Sequence, residues 1–292
     1  MSEIADSTSR YVSGPAAGPT QNQILVQVPV WSAYPWLRHG FSTRHGGVST
    51  VYQPESDLNL GWTKDDDPAN VAVNRRLLVA AATGTAATPL VTLRQIHSAT
   101  SVTVENAASL PSFVNAEGRA LREADGLITA APGILLGIQT ADCVPVLVAD
   151  TQKRVVATFH AGWRGTAARI VEQGIAQMVS DFGSQTKDII AAVGPSIGPC
   201  CYTVGEEVHT TFTTNFSYGE SLFHTDTAAA LHLDLWAANH RQLLDSGIPE
   251  SRITVIGECT GCTGLPTSRR YFSHRCENGF TGRMMNVIGI EH

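Results

Sequence analysis

Thr140-Ala141-Asp142-Cys143-Val144-Pro145 opens an apolar run that continues to Ala149, and a second apolar run from Val155 ends in Phe159-His160-Ala161-Gly162-Trp163-Arg164-Gly165. Only the polar Asp150-Thr151-Gln152-Lys153-Arg154 lies between them. Two short apolar segments joined by a polar turn read as a β-hairpin. Antiparallel pairing would fold the two ends together and place the Cys143 thiol beside the His160 imidazole at one end of a sheet.

Each of these residues has an ordinary explanation when taken alone: Cys143 as a small buried hydrophobe, His160 as a loop residue bonded to backbone. A further histidine in a polar run after a strand, Arg94-Gln95-Ile96-His97-Ser98, offers a third donor. Two imidazoles and a thiolate suit zinc, and copper accepts the same donors. Three protein ligands leave a fourth position open, the arrangement of catalytic rather than structural sites.

Working outward, Ala167, Ile170, Val171, Gly174, Ile175, Met178 and Val179 recur at intervals of three and four, which predicts a helix after Gly165. Gly162-Trp163-Arg164-Gly165 would then sit at a helix N-terminus, where free amides and Arg164 make an anion seat beside His160. The plainer alternative makes Trp163 a core plug and Arg164 its polar rim. Upstream, Phe41-Ser42-Thr43-Arg44 precedes Gly46-Gly47, so backbone could approach a ligand closely and Arg44 offers a fork for phosphate or carboxylate. The alternative there is a turn carrying a solvated arginine.

The remaining chain is scaffold in this reading. Residues 1–23 are rich in Ser, Gly, Pro, Ala and Thr and read as a disordered tail. Residues 24–292 read as a single catalytic α/β domain with mixed β-sheets flanked by helices. Asp67-Pro68 starts a helix that ends near Gly84, a second helix starts near Gly205, and a third runs from Asp234 to Gly247. Strands are expected over Leu90 to Gln95, Ser101 to Val104, Gly126 to Thr129, Ile134 to Gln139, Asp188 to Val193, Arg252 to Ile256 and near the carboxyl end. Glu105 to Asp125 is a long polar loop. Cys259-Thr260-Gly261-Cys262 stands without a second pair at zinc-ribbon spacing and reads as loop thiols.

With 43% hydrophobic and 16% charged residues and a formal net charge of -6, the chain resembles an ordinary soluble globular protein. The basic residues are scattered, which argues against nucleic acid. No apolar run approaches the roughly 20 residues needed to cross a bilayer. The amino terminus lacks a basic start followed by an apolar stretch, so a cytoplasmic protein is expected. Six cysteines in 292 residues, two adjacent as Cys200-Cys201, read as reduced thiols.

These runs, with Gln95-Ile96-His97, Asp125-Gly126-Leu127-Ile128-Thr129, Gly194-Pro195-Ser196-Ile197-Gly198 and Thr281-Gly282-Arg283, are similar to those of the multicopper polyphenol oxidase (laccase-like) domain family. Members of that family are now regarded as purine nucleoside phosphorylases. The resemblance extends from about Ile24 to the end and implies zinc held by His97, Cys143 and His160. It also implies phosphorolysis of adenosine, inosine, guanosine and methylthioadenosine, with some adenosine deamination. Cys276, in a segment usually basic, and His274, where Tyr is more usual, depart from the family pattern.

The expected partners are therefore purine nucleosides and phosphate. Asp142 and Arg44 are the catalytic candidates, with Asp125 a second proton carrier, and Ser42, Arg44, Gly162, Trp163 and Arg164 the substrate-binding ones. Two other classes stay open. Cys143 with His160 as base could form a cysteine hydrolase or amidase, including one that edits cell-wall precursors. A copper phenol oxidase would need more clustered histidines than ten scattered ones with no His-X-His pair.

Overall fold

The computed structural model describes residues 24–53, 55–264 and 269–292. The expected disordered tail, residues 1–23, lies outside the described residues. In chain order the strands are β1 (Leu25–Val26), β2 (Leu37–Ser42), β3 (His45–Ser49), β4 (Leu90–Thr92), β5 (Ser101–Thr103), β6 (Gly126–Thr129) and β7 (Leu135–Thr140). They continue as β8 (Val144–Asp150), β9 (Val155–Ala161), β10 (Ile189–Val193), β11 (Phe223–Thr225), β12 (Leu231–Leu233), β13 (Ile253–Val255) and β14 (Met284–Ile290). The helices are α1 (Pro68–Thr83), α2 (Trp163–Ala167), α3 (Ile170–Phe182), α4 (Glu206–Asn215) and α5 (Leu235–Asp245).

Two mixed sheets form the centre. One has five strands in the order β1-β2-β14-β7-β4, the other six in the order β13-β10-β8-β9-β6-β5. Apolar side chains appear on both faces of the central strands, and period-two alternation sends them to different cores. In β8, Val144, Val146 and Val148 enter the core shared with α3, α4 and α5. Leu147 and Ala149 enter the core between the sheets, where they meet Phe41, Leu136 and Ile288. The outer face of the five-stranded sheet buries Leu135, Met285 and Val287 against Leu78, Val79 and Ala82 of α1. The layers are therefore helix, sheet, sheet, helices, in one α/β domain with mixed sheets.

The expected hairpin forms as β8 and β9 in antiparallel register, Val144 opposite Ala161 and Pro145 opposite His160. Helix α1 starts where its cap requires, with the Asp67 carboxylate accepting from the Ala69 amide at 2.8 Å, and stops at Gly84 with φ +80°. Asp234 caps α5 in the same way through the Ala237 amide at 2.9 Å.

The single helix expected after Gly165 is instead broken in two. Arg169 takes a left-handed conformation with φ +63°, and the Thr166 carbonyl accepts from the Gln242 side chain at 2.7 Å and the Arg169 amide at 2.9 Å. That carbonyl is thus withdrawn from the helical ladder. The break re-aims α3 so that Ile170, Val171, Ile175 and Met178 lie on the six-stranded sheet. Leu90 to Gln95 also shortens to Leu90–Thr92, because from Leu93 onward the chain turns toward the site.

Candidate active site

Strand register builds the site. Because Gly126 pairs with Phe159, the residue before β6, Asp125, falls beside His160, and the His160 amide donates to the Asp125 carbonyl at 2.7 Å. The side chains meet as well, His160 Nδ1 lying 2.8 Å from Asp125 Oδ1. On the other side of β9, register continues from Val144 and Ala161 to Cys143 and Gly162. Cys143 therefore sits diagonally from His160, not directly across from it. A Cβ on Gly162 would lie 2.9 Å from Cys143 Sγ and 3.3 Å from His97 Cδ2, so glycine is what lets the three donors close up.

His97 arrives from a loop and is exposed, with a left-handed φ of +60°. Asp125 holds that loop: its Oδ1 accepts from the His97 amide at 3.0 Å, and its Oδ2 accepts from the Ile96 amide at 3.3 Å, the Ser98 amide at 2.6 Å and the Ser98 hydroxyl at 2.8 Å. One carboxylate thus fixes both histidines. His97 Nε2 lies 4.0 Å from Cys143 Sγ, and the two imidazole centroids are 4.9 Å apart. One donor atom from each of His97, Cys143 and His160 lies within 4.8 Å of the others.

The electrostatics agree with the geometry. Burial alone would push the Cys143 thiol up, but the His160 and His97 imidazoles bring it down to about 6. Burial would push His160 down, but the Cys143 thiolate and Asp125 raise it to about 9. Asp125 falls to about 2 despite burial, held by the His160 and Ser98 donors. The donor set fits zinc. His160 Nδ1–H donates a hydrogen bond to the Asp125 carboxylate, which leaves Nε2 for a metal, the usual outer support of a metal-bound imidazole.

The three donors open on a pocket of about 610 Å³, within the range of small-ligand sites. Asp142 lines it and is fixed there: its Oδ1 accepts from the Thr260 hydroxyl at 2.6 Å and its Oδ2 from the Arg275 amide at 2.7 Å. Asp142 itself is left-handed, with φ +90°.

Several expected site residues lie elsewhere. Arg44 is 3% exposed, and its fork is taken by Asp57 through two bonds of 2.9 Å and by Glu277 at 3.0 Å, with Phe272 under it at 4.6 Å. A guanidinium so enclosed has no edge for phosphate. Burial of itself would lower its pKa, but the two carboxylates raise it, so it stays charged and paired. Ser42 is buried, its hydroxyl accepting from the Met285 amide at 2.9 Å. Trp163 packs on the helical core, and the exposed Arg164 lies over its ring at 4.1 Å. With α2 only five residues long, the helix-end anion seat expected at Gly162 to Gly165 loses its helix.

The pocket wall instead carries Arg94, Arg275 and Arg283 with Gln95 and Gln139. The Gln95 amide donates to the Gln139 carbonyl and its oxygen accepts from the Gln139 amide, both at 2.7 Å. In the sequence, Gln95-Ile96-His97 and Thr281-Gly282-Arg283 pointed to Gln95 and Arg283 only through the resemblance, Arg94 entered only as a neighbour of His97, and Gln139 and Arg275 were given no role.

Comparison with known proteins agrees with this architecture. The family model described as multi-copper polyphenol oxidoreductase laccase matches residues 38–291. A purine nucleoside phosphorylase of Deinococcus radiodurans is 39% identical over 252 residues, covering 86% of this chain and 88% of that protein. An adenosine deaminase, RL5, from an unknown prokaryotic organism is 35% identical over 235 residues, covering 79% of this chain and 87% of that one. Among solved structures, the hypothetical protein YfiH of Bacillus licheniformis superposes with a TM-score of 0.81 at 33% identity, covering 91% of this chain and 96% of that chain.

Proposed function

The chain belongs to the multi-copper polyphenol oxidoreductase laccase family, and from that premise we propose that it is a zinc-dependent purine nucleoside phosphorylase with a secondary adenosine deaminase activity. The observation that carries the reading is the donor set of His97, Cys143 and His160 opening on a pocket of nucleoside size. Adenosine, inosine, guanosine and methylthioadenosine are the proposed substrates. In phosphorolysis a phosphate oxygen bonds to the sugar C1' as the bond from C1' to the purine nitrogen breaks, giving base and pentose 1-phosphate.

Phosphate is placed by Arg94, Arg275 and Arg283 in the role first expected of Arg44. Arg275 is braced by donating to the Thr203 carbonyl at 2.8 Å and its hydroxyl at 2.7 Å. Asp142, held at both carboxylate oxygens, is the proton carrier for the departing purine. Asp125 keeps the imidazole of His160 oriented. His97, Cys143 and His160 would hold zinc, or copper in its place, which would supply Lewis acidity to the reaction. Six unpaired cysteines fit a reducing, cytoplasmic setting.

A second reading has its own support. Without metal, Cys143 beside His160, with Asp125 behind the imidazole, is a thiolate and imidazolium pair of the kind a cysteine hydrolase uses. The phenol oxidase reading has less: the one His-containing donor group among the described residues holds two histidines.

Incubating metal-quantified protein with adenosine, with and without phosphate, separates the readings. Adenine and ribose 1-phosphate formed only with phosphate support phosphorolysis, whereas inosine alone leaves deamination as the activity. Product formation on another substrate that survives metal removal and disappears on thiol alkylation would favour the hydrolase.

A further inference from the structure

The chain holds a second convergence of metal-binding groups. Strands β10 and β13 are parallel neighbours, so the loops that follow them leave the same edge of the sheet side by side. Backbone bonds then stitch the loops together: the Ser196 amide donates to the Glu258 carbonyl at 3.2 Å, and the Thr260 amide donates to the Ser196 carbonyl at 3.0 Å. This brings the adjacent pair Cys200-Cys201 over Cys259-Thr260-Gly261-Cys262. The four sulfurs all lie within 4.8 Å of one another, and the Cys200 and Cys262 sulfurs are 3.5 Å apart. Sulfurs about 2.3 Å from one tetrahedral zinc lie roughly 3.8 Å from each other. The cluster is therefore near the size of a single-ion cage.

Its surroundings are those of a thiolate site. The Gly198 and Gly261 amides donate to Cys259 Sγ at 3.2 and 3.3 Å, which favours the charged form that binds metal. Gly261 is tightly packed against the thiols: a Cβ there would lie 3.1 Å from Cys201 Cβ and from Cys276 Sγ and 3.2 Å from Cys201 Sγ, so its neighbours would have to give way. Cys200 and Cys262 are exposed, so an ion has a way in.

We propose that Cys200, Cys201, Cys259 and Cys262 bind one zinc ion in a closed tetrathiolate site that staples the loop after β10 to the loop after β13. Four protein ligands leave no open position, so this ion is structural, unlike the centre at Cys143. What it holds in place is the pocket wall. Thr260, between two of the ligands, donates to Asp142, and Tyr202, next to another, lines the pocket. The inference is independent of which reaction the first site carries out.

The test uses the full chain, purified with reductant and loaded with zinc. Metal analysis should give two zinc ions per chain for the wild type, and one each for Cys143→Ser and for the double variant C259S/C262S. Cobalt in C143S should show the intense sulfur-to-cobalt charge transfer of a tetrathiolate, absent from the triple variant C143S/C259S/C262S. Should the double variant fail to fold, alkylation of the zinc-loaded wild type reads the same site: Cys200, Cys201, Cys259 and Cys262 should be protected together and become reactive together on chelation. C143S without zinc, a cobalt form lacking the thiolate band, iron in place of zinc, or a Cys200–Cys262 disulfide in the reduced preparation would overturn the proposal.

Discussion

Asp125→Asn tests the site most directly, because the change keeps shape while altering one pair of bonds. The carboxylate accepts through Oδ1 from His97 N–H and His160 Nδ1, and through Oδ2 from Ile96 N–H, Ser98 N–H and the Ser98 hydroxyl. An asparagine has one acceptor and one donor for these two positions. With its oxygen toward Ser98, its NH2 faces His160 Nδ1, which must then accept, and the imidazole proton moves to Nε2, the nitrogen needed for metal. The amide of His97 also loses its partner. With the amide reversed, the His160 tautomer is kept but the Ser98 and Ile96 amides face a donor.

The first arrangement sacrifices metal binding and the second sacrifices the loop. Loss of such outer support costs about 10- to 100-fold in metal affinity, or roughly 1.4 to 2.7 kcal/mol. Leaving a buried amide unpaired costs about 1 to 3 kcal/mol. Competition between the protein and a chelator of known affinity, together with thermal unfolding of the metal-free form, measures both quantities. D125N should lose on at least one, and zinc affinity and apo-protein stability both equal to wild type would refute the reasoning.

Two further outcomes follow from buried groups outside the pocket. Arg44→Ala strands Asp57 and Glu277 and should cost about 3 to 5 kcal/mol of stability, seen as a lower melting temperature; a raised phosphate KM without loss of stability would return Arg44 to the site. His39, 5% exposed with its Nε2 accepting from the Val28 amide at 3.0 Å, is driven by burial from 6.5 to about 4. The unfolded chain therefore takes up this proton first, so the contribution is complete above pH 6.5 and lost as pH falls toward 4, about 3 kcal/mol in all; H39Q should flatten that part of the stability curve in denaturant titrations at several pH values.

The elements that could be read from the chain are those whose signals are local. The β8 and β9 hairpin carries its turn in Asp150 to Arg154, and α1 and α5 carry their caps in Asp67 and Asp234. Cys143 and His160 were legible for the same reason, since one hairpin joins them. Arg44 was misplaced because its partners, Asp57 and Glu277, lie 13 and 233 residues away and nothing local to Arg44 announces either. The break at Arg169 depends on a carbonyl taken by Gln242 of another helix. Cys259-Thr260-Gly261-Cys262 looked like stray thiols because its partners, Cys200 and Cys201, reach it only through the parallel pairing of β10 with β13.

The way the three donors are held also orders them by rigidity. His160 is the penultimate residue of a fully buried strand and is bonded through both main chain and ring to Asp125. Cys143 directly precedes β8, packed against Gly162 where no side chain intervenes. His97 comes from a loop away from the strand ends, exposed and in a left-handed backbone conformation that costs energy for a residue with a Cβ. Its position rests on the Asp125 bonds to its own and its neighbours' amides. The same carboxylate that sets the tautomer of the fixed histidine therefore offsets the strain of the loop-borne one, so loss of its charge cannot leave both supports intact. A site assembled from separate supports would lose them one at a time.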